Sequence, residues 1–282
     1  MSRHQMATQL RNPWAFLVLL VLCLATNARW AAAQAGPGFR QNDILTSEAG
    51  VAASPLIQSG RVYAEISGPV NTGLAITNPN SQPATVSFYF VFSGDADIFA
   101  RGSTTITPNG QVARFLNEPP FNGPSGLVFQ GTFTFSSSVP IAVIALRGFT
   151  NERGEFLITA LPVVDLDAPS PAGTIAIPHF ANGGGWKTKI VLVNPSDRAQ
   201  AGTVQFFDPS GLAVMVAPRF GAFDGVISNT VLYSVSARSS STFETSGAGA
   251  AVTVGSVRVI PDTNDTAPSA LVIFSFHIAG VP

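Results

Sequence analysis

The sequence holds a single cysteine, Cys23, inside an apolar run near the N-terminus. If that run leaves with an export signal, the mature chain has no thiol. Disulfides, zinc–thiolate sites, iron–sulfur clusters and cysteine nucleophiles are then excluded, and stability has to come from packing. Charge is also scarce, at 11% of residues against 46% hydrophobic. That balance excludes charge-driven disorder, coiled coils and most long amphipathic helices. The formal net charge is −1, and Arg3, Arg11 and Arg29 all precede residue 34 with no acid among them, so the mature chain is acidic. A sequence-independent nucleic-acid binder needs the opposite, a basic face that displaces counterions. Histidine, tryptophan and tyrosine number 3 each. Trp14 and Trp30 fall before residue 34, which leaves Trp186 as the one mature tryptophan.

Residues 1–33 read as a secretory signal. Arg3, His4 and Arg11 precede the apolar run Trp14 to Ala25, and Ala31 and Ala33 supply the small side chains that a signal peptidase admits, with cleavage expected after Ala33. The apolar run spans only about 18 Å as a helix, short of a hydrocarbon core about 30 Å thick. No stable membrane span is expected in the mature chain. Leu20, Val21 and Leu22 before Cys23 are too large for a lipoprotein signal.

What is abundant is turn and strand chemistry: 26 Gly, 21 Pro and 21 Phe. There is also an internal similarity of domain length. GLAITNPNSQPATVSFYF (73–90) matches KIVLVNPSDRAQAGTVQFF (189–207), pairing Asn78-Pro79 with Asn194-Pro195 and Thr85-Val86 with Thr203-Val204. Ser93-Gly94 matches Ser210-Gly211, Ala113-Arg114-Phe115 corresponds in position to Ser241-Thr242-Phe243, and the run from Pro140 to Leu146 echoes Pro268 to Phe274. The second copy carries insertions near 217–237 and 260–267, where loops absorb length cheaply.

Each copy reads as strands. Val86, Phe88, Phe90 and Phe92 repeat at period two, with Phe88 and Phe90 assigned to the core together with Leu74 and Ile76. Further runs at 98–107, 110–116, 127–136 and 140–148 are separated by turn residues, including Ser-Ser-Ser at 136–138. IAVIAL (141–146) is apolar on both parities and fits a central strand or a short core helix. The fold class expected is all-β: two tandem immunoglobulin-like β-sandwich domains behind the signal peptide. The boundaries are 1–33 signal, 34–54 lead-in, 55–165 first sandwich, 166–172 linker within the proline-rich stretch 162–173, and 173–282 second sandwich. The second copy stops at Pro282 with no counterpart of NERGEFLITALPVVD (151–165), so it either lacks its last strand or belongs to a longer array.

Candidate chemistry is thin. His179 and His277 stand in different strands with no hydrolase motif around either. Gly183-Gly184-Gly185-Trp186-Lys187-Thr188 has the outline of a phosphate loop, but Trp186 replaces the glycine before the lysine and a strand follows instead of a helix. Asp95/Asp97, Asp165/Asp167 and Asp262/Asn264/Asp265 could offer oxygens to calcium, though Asp and Asn are also ordinary turn residues. No catalytic residue, metal site or cofactor is assigned. Trp186, Phe180 and Tyr233 form the one candidate ligand platform, for sugar stacking, with Asp197 and Asp208 near it in sequence.

The segments "GLAITNPNSQPATVSFYF", "GQVARFLNE", "FQGTFTFSSSVPIAVIALR" and "GGGWKTKIVLVNPSD" are similar to an uncharacterised family of exported bacterial all-β repeat proteins with immunoglobulin-like modules. The resemblance covers roughly residues 55–282. It implies a sandwich fold and a secreted or cell-surface location, and brings no activity or site residues. The function expected is a non-enzymatic structural or adhesive module outside the cell, meeting a surface protein or glycan. The alternative is a carbohydrate-binding module or minor glycan hydrolase.

Overall fold

The computed structural model describes residues 55–124, 126–220, 223–224 and 227–277, and every regular element among them is a β-strand. The expected signal (1–33) and lead-in (34–54) lie outside the described residues. Among those residues no helix is long and apolar enough to cross a membrane.

The first set of strands is β1 (Ile57–Ser67), β2 (Val70–Thr77), β3 (Ala84–Phe92), β4 (Ile98–Ile106), β5 (Gln111–Phe115), β6 (Phe129–Thr150), β7 (Phe156–Leu161) and β8 (Val164–Asp165). They form one antiparallel sheet folded over on itself. β4, β3, the first part of β6, β1 and β8 make one layer, while β5, β2, the second part of β6 and β7 make the other. Val86, Phe88 and Phe90 point between the layers as their spacing predicts, and meet Leu74, Ile76, Phe133, Phe135 and Ile141 there. Their rings pack edge-on or offset, for example Phe90 to Phe133 with centroids 5.1 Å apart, an arrangement favoured by the ring quadrupole.

The Ser-Ser-Ser turn expected at 136–138 is not a turn. β6 runs unbroken for 22 residues through it. Phe129–Ser137 lies between β1 and β3, and the strand beyond Ile141 lies between β2 and β7. Neighbours change at Ser138–Pro140. There the Ser138 hydroxyl accepts from the Thr85 amide and the Pro140 carbonyl from the Asn80 side chain. A proline at such a crossing costs no ladder bond. The IAVIAL run is therefore strand, apolar on both parities because it is flanked and covered.

The second set is β9 (Ile175–Asn182), β10 (Trp186–Val193), β11 (Gln200–Phe207), β12 (Pro218–Phe220), β13 (Phe223–Asp224), β14 (Thr230–Val235), β15 (Ser240–Thr245), β16 (Thr253–Pro261) and β17 (Ser269–Phe276). One sheet has the order β14-β11-β16-β9 and the other β13-β12-β15-β10-β17. Phe180, Ile190, Leu192, Val204, Phe206, Phe243 and Val257 fill the space between them. The neighbours run in the same order as in the first set, β4-β3-β6-β1 in one layer and β5-β2-β6 in the other. The stretch 217–237 adds the β12–β13 hairpin at the edge of β15, and its last part is β14.

Paired sequence features have paired physical roles. The buried Asn78 amide donates to the carbonyls of Gln82, Ile106 and Thr107. The buried Asn194 amide donates to those of Arg198, Val235 and Ser236. Each asparagine ties its own turn to the end of a strand in the same layer. Proline follows because that position needs no donor. Thr72 and Thr188 exchange hydrogen bonds with the backbones of Glu65 and Ala181 respectively. Gly131 and Gly255 each sit where an added Cβ would lie 2.0 Å or 1.8 Å from a carbonyl oxygen, of Val91 and Phe207 respectively.

The two sets stack face to face. The outward residues of β1 (Arg61, Tyr63, Glu65) meet β10 and β17, with Tyr63, Val191, Val193 and Leu271 packed together. Arg61 is buried and donates to the Thr134 hydroxyl, the Tyr89 hydroxyl and the Asn194 carbonyl. Burial lowers its pKa from the ordinary arginine value, partly offset by Tyr89. Beside it Thr132 donates to the Arg238 carbonyl, Ser239 to the Phe92 carbonyl and Ser236 to the Gly94 carbonyl. Glu65 receives both Arg147 and Lys189, at 3.5 and 3.4 Å.

Residues 162–173, read as a linker, are tied down. β8 pairs with β1, the Asp167 carboxylate accepts from the amides of Gln58 and Ser59, and the Pro171 carbonyl accepts from Ala267.

Candidate binding surface

Three successive glycines with positive φ, Gly183, Gly184 and Gly185 (93°, 58° and 89°), carry the chain from β9 into β10. Gly183 and Trp186 exchange backbone hydrogen bonds across this turn. The glycine tract is thus a hairpin, and a side chain at Gly183 would place its Cβ 2.2 Å from the Ala251 carbonyl oxygen. The turn delivers Trp186 to the first position of β10, directly opposite Phe276. Their rings lie 4.6 Å apart with a tilt of 38°.

The three residues of the expected platform are not brought together. Phe180 is 0% exposed and Tyr233 is 5% exposed, both within the core of the second sandwich. Neither offers a face to a sugar. The bulge in β9 explains Phe180: the register against β16 slips between Ile177 and Phe180, so residues of opposite parity both turn inward while Pro178 and His179 bow out. Trp186, at 37% exposed, remains on the surface.

Its neighbours there are ones the sequence did not single out. Phe274 and Phe276 are 40% and 46% exposed, and Val252 and Val254 stand exposed beside them. His179, Ala181, Trp186, Val252, Val254 and Phe274 line an open cleft of about 370 Å³. The His179 ring rests 5.6 Å from that of Phe274. The available signal was strand register, since Trp186 pairs with the last aromatic of an alternating Phe274/Phe276 pair. A second, larger groove of about 580 Å³ runs beside it, between residues 273–277 and Arg147, Phe149, Leu157 and Thr159 of the first sandwich.

The carboxylates are engaged elsewhere. Asp95 accepts from the amides of Ala96 and Asp97, Asp165 from Asp167, and Asp265 from Ala201. Asp197 pairs with Arg238 at 3.2 Å. Asp208 accepts from the hydroxyl and amide of Ser210 and from the Leu212 amide, and the Ser210 hydroxyl leads in holding its pKa below the ordinary value. Such bonds are turn chemistry. Neither Asp197 nor Asp208 lines the Trp186 cleft.

No family model matches this chain, and no curated protein does. A Thermotoga maritima protein of known crystal structure is similar over 38% of this chain and 93% of its own, at 14% identity and a TM-score of 0.31. A likeness of that size carries no inference about fold or activity.

Proposed function

We propose that the protein is a non-enzymatic structural or adhesive module of an exported bacterial protein, built of two tandem immunoglobulin-like sandwiches. Its contact surface is the aromatic end of the second sandwich. The observation that carries this reading is the exposed group of Trp186, Phe274, Phe276, Val252 and Val254 on one open end of the fold. Contiguous exposed apolar groups on an otherwise well-packed protein mark interaction sites. Aromatic anchors of this kind dominate binding energies. The face-to-face stack supports the same reading, because a rigid body presents such a surface at a fixed angle.

The experiment is retention of the mature chain on bacterial envelope fractions and on immobilised polysaccharides, compared with Val254→Glu and Phe276→Ser. Wild type is expected to bind saturably, and each variant at least about tenfold more weakly while unfolding at a similar denaturant concentration, since central anchors each carry roughly 1.4 kcal/mol or more. Equal retention of all three overturns the assignment of the surface.

One observation favours carbohydrate as the partner: Trp186 keeps an exposed ring with a second ring beside it. Competition by free oligosaccharide in the same assay separates a glycan partner from a protein one.

A further inference from the structure

The two sandwiches differ at one edge. In the first, β7 pairs along the outer edge of β6, with Arg147 opposite Thr159 and Phe149 opposite Leu157, and Leu161 enters the core. The corresponding strand of the second is β17, which lies beside β10 as the last part of β6 lies beside β2. Among the described residues β17 pairs with β10 alone. Burial records the difference. No residue from Ile141 to Phe149 is exposed, whereas none from Ser269 to Phe276 is buried, and Phe274, Ser275 and Phe276 are exposed. The backbone groups at this edge follow from alternation along the strand. The His277 amide donates to the Gly185 carbonyl, and the Thr188 amide turns to Thr245 of β15, away from β17. The odd-numbered residues of β17 therefore bond β10, and Val272, Phe274 and Phe276 point their N–H and C=O groups outward. The first sandwich obeys the same rule: the Thr150 amide donates toward β2, to Pro69, and the Asn151 amide to Glu155 on the β7 side. Natural edges are guarded by charge, proline or bulges. β9 has Pro178 and a bulge, but β17, SALVIFSF, has no charge, no proline and an unbroken register.

We infer that β17 binds an extended segment of a partner protein, which adds to the sheet as β7 adds to β6 and lays alternate apolar side chains over Phe274 and Phe276. The inference rests on the reading of the Trp186 end as the contact surface, and names its partner as a polypeptide. A glycan cannot continue a ladder of N–H and C=O groups. The paired stretch of the partner is uncharged, because β17 offers a desolvated charge no counter-charge. The groove of about 580 Å³ beside residues 273–277 is closed on its far side by Phe149, Leu157 and Thr159. A single strand enters such a groove more readily than the edge of a second folded sandwich. Main-chain bonds supply the affinity and alternate side chains the specificity.

The first sandwich supplies the probe, a peptide of residues Gly154–Asp165, which carries β7. Thr72 and Thr188 correspond, and lie opposite Arg147 and Phe274, so in the transferred register Thr159 falls opposite Phe274 and Leu157 opposite Phe276. The Thr159 amide then joins the ladder and the Ala160 amide points away from it. Fluorescence anisotropy of the labelled peptide with a chain that begins at Gln34 is expected to show saturable binding. N-methylation at Thr159 should weaken it at least about tenfold, and N-methylation at Ala160 by no more than about twofold. Equal weakening by the two methyl groups, or no saturable binding, overturns the inference. A dimer that the peptide dissociates puts a second copy on the edge and overturns the partner strand. Amide exchange in the free chain checks the edge itself: fast exchange at Val272, Phe274 and Phe276 with slow exchange at Leu271, Ile273 and Ser275 supports the inference, and slow exchange at all six overturns it. The two claims fail separately. Envelope retention that is lost in Phe276→Ser, without discrimination between the methylated peptides, sinks the strand inference alone, and discrimination without envelope retention sinks the earlier reading alone.

Discussion

Arg61 of the first sandwich donates one of its guanidinium hydrogen bonds to the backbone carbonyl of Asn194 in the second. That carbonyl belongs to the residue whose side chain ties the β10–β11 turn to the end of β14. One buried cation thus couples the stack of the two sandwiches to the internal order of one of them. Truncation to Arg61→Ala strands the Thr134 and Tyr89 hydroxyls and the Asn194 carbonyl, and leaves a cavity. The expected cost is about 3 kcal/mol. In urea the wild type is expected to unfold in one transition and Arg61→Ala in two, read by tryptophan fluorescence and far-UV circular dichroism. A single unshifted transition would show that Arg61 does not couple the sandwiches.

The equivalent roles of Asn78 and Asn194 predict equivalent costs. Asn78→Ala and Asn194→Ala each remove a buried amide that donates to three carbonyls, the bonds to Ile106 and Val235 being themselves buried. Each variant is expected to lose about 2–4 kcal/mol in denaturant melts. Asn→Asp at either site should be no better, because the lost group is the donor.

Gly131→Ala and Gly255→Ala force a methyl group against the neighbouring strand's backbone, at 2.0 and 1.8 Å before relaxation. Both are expected to cost about 1–3 kcal/mol by strand displacement. Gly68→Ala, where nothing lies within 4 Å of the new Cβ, should fall within about 0.5 kcal/mol of wild type. Comparable losses at all three would show that close approach is not the cause.

Tyr233 gives the fold an alkaline limit. Burial, with Asp262 and Asp265 adding to it, pushes the phenol from 10.0 up to about 12. Burial raises Tyr63 in the same direction. In the unfolded chain these phenols ionise near pH 10, while in the fold they stay neutral. Their contribution is therefore fully present below pH 10 and is lost as pH rises through the folded values. Thermal melts from pH 9 to 12 should show falling stability, with a shallower fall in Tyr233→Phe. Among the described residues the buried Tyr233 hydroxyl has no hydrogen-bond partner, so Tyr233→Phe should cost nothing at pH 7.

Much of this architecture was legible because burial imposes a period. The β3 pattern placed Phe88 and Phe90 correctly, and the two Asn-Pro turns mark the same staple in both sandwiches. Periodicity failed where backbone geometry breaks it. The bulge at Pro178–His179 turned Phe180 inward, and the crossing at Ser138–Pro140 looks locally like a turn. Tertiary partners were invisible as well. Nothing around Arg61 announces a carbonyl 133 residues away, and nothing in the sequence singles out Phe274 and Phe276, which the register places at an open end beside Trp186.

The central claim is that the Trp186 end of the second sandwich is where the protein meets its partner, and Trp186 is the one tryptophan after residue 33. Its fluorescence therefore reports on that surface alone. The direct measurement is acrylamide quenching of a chain that begins at Gln34, free and with an envelope fraction that retains it. The account predicts ready quenching in the free protein and saturable protection with a blue shift on binding, both absent in Phe276→Ser. Binding that leaves the Trp186 emission and its quenching unchanged would contradict it.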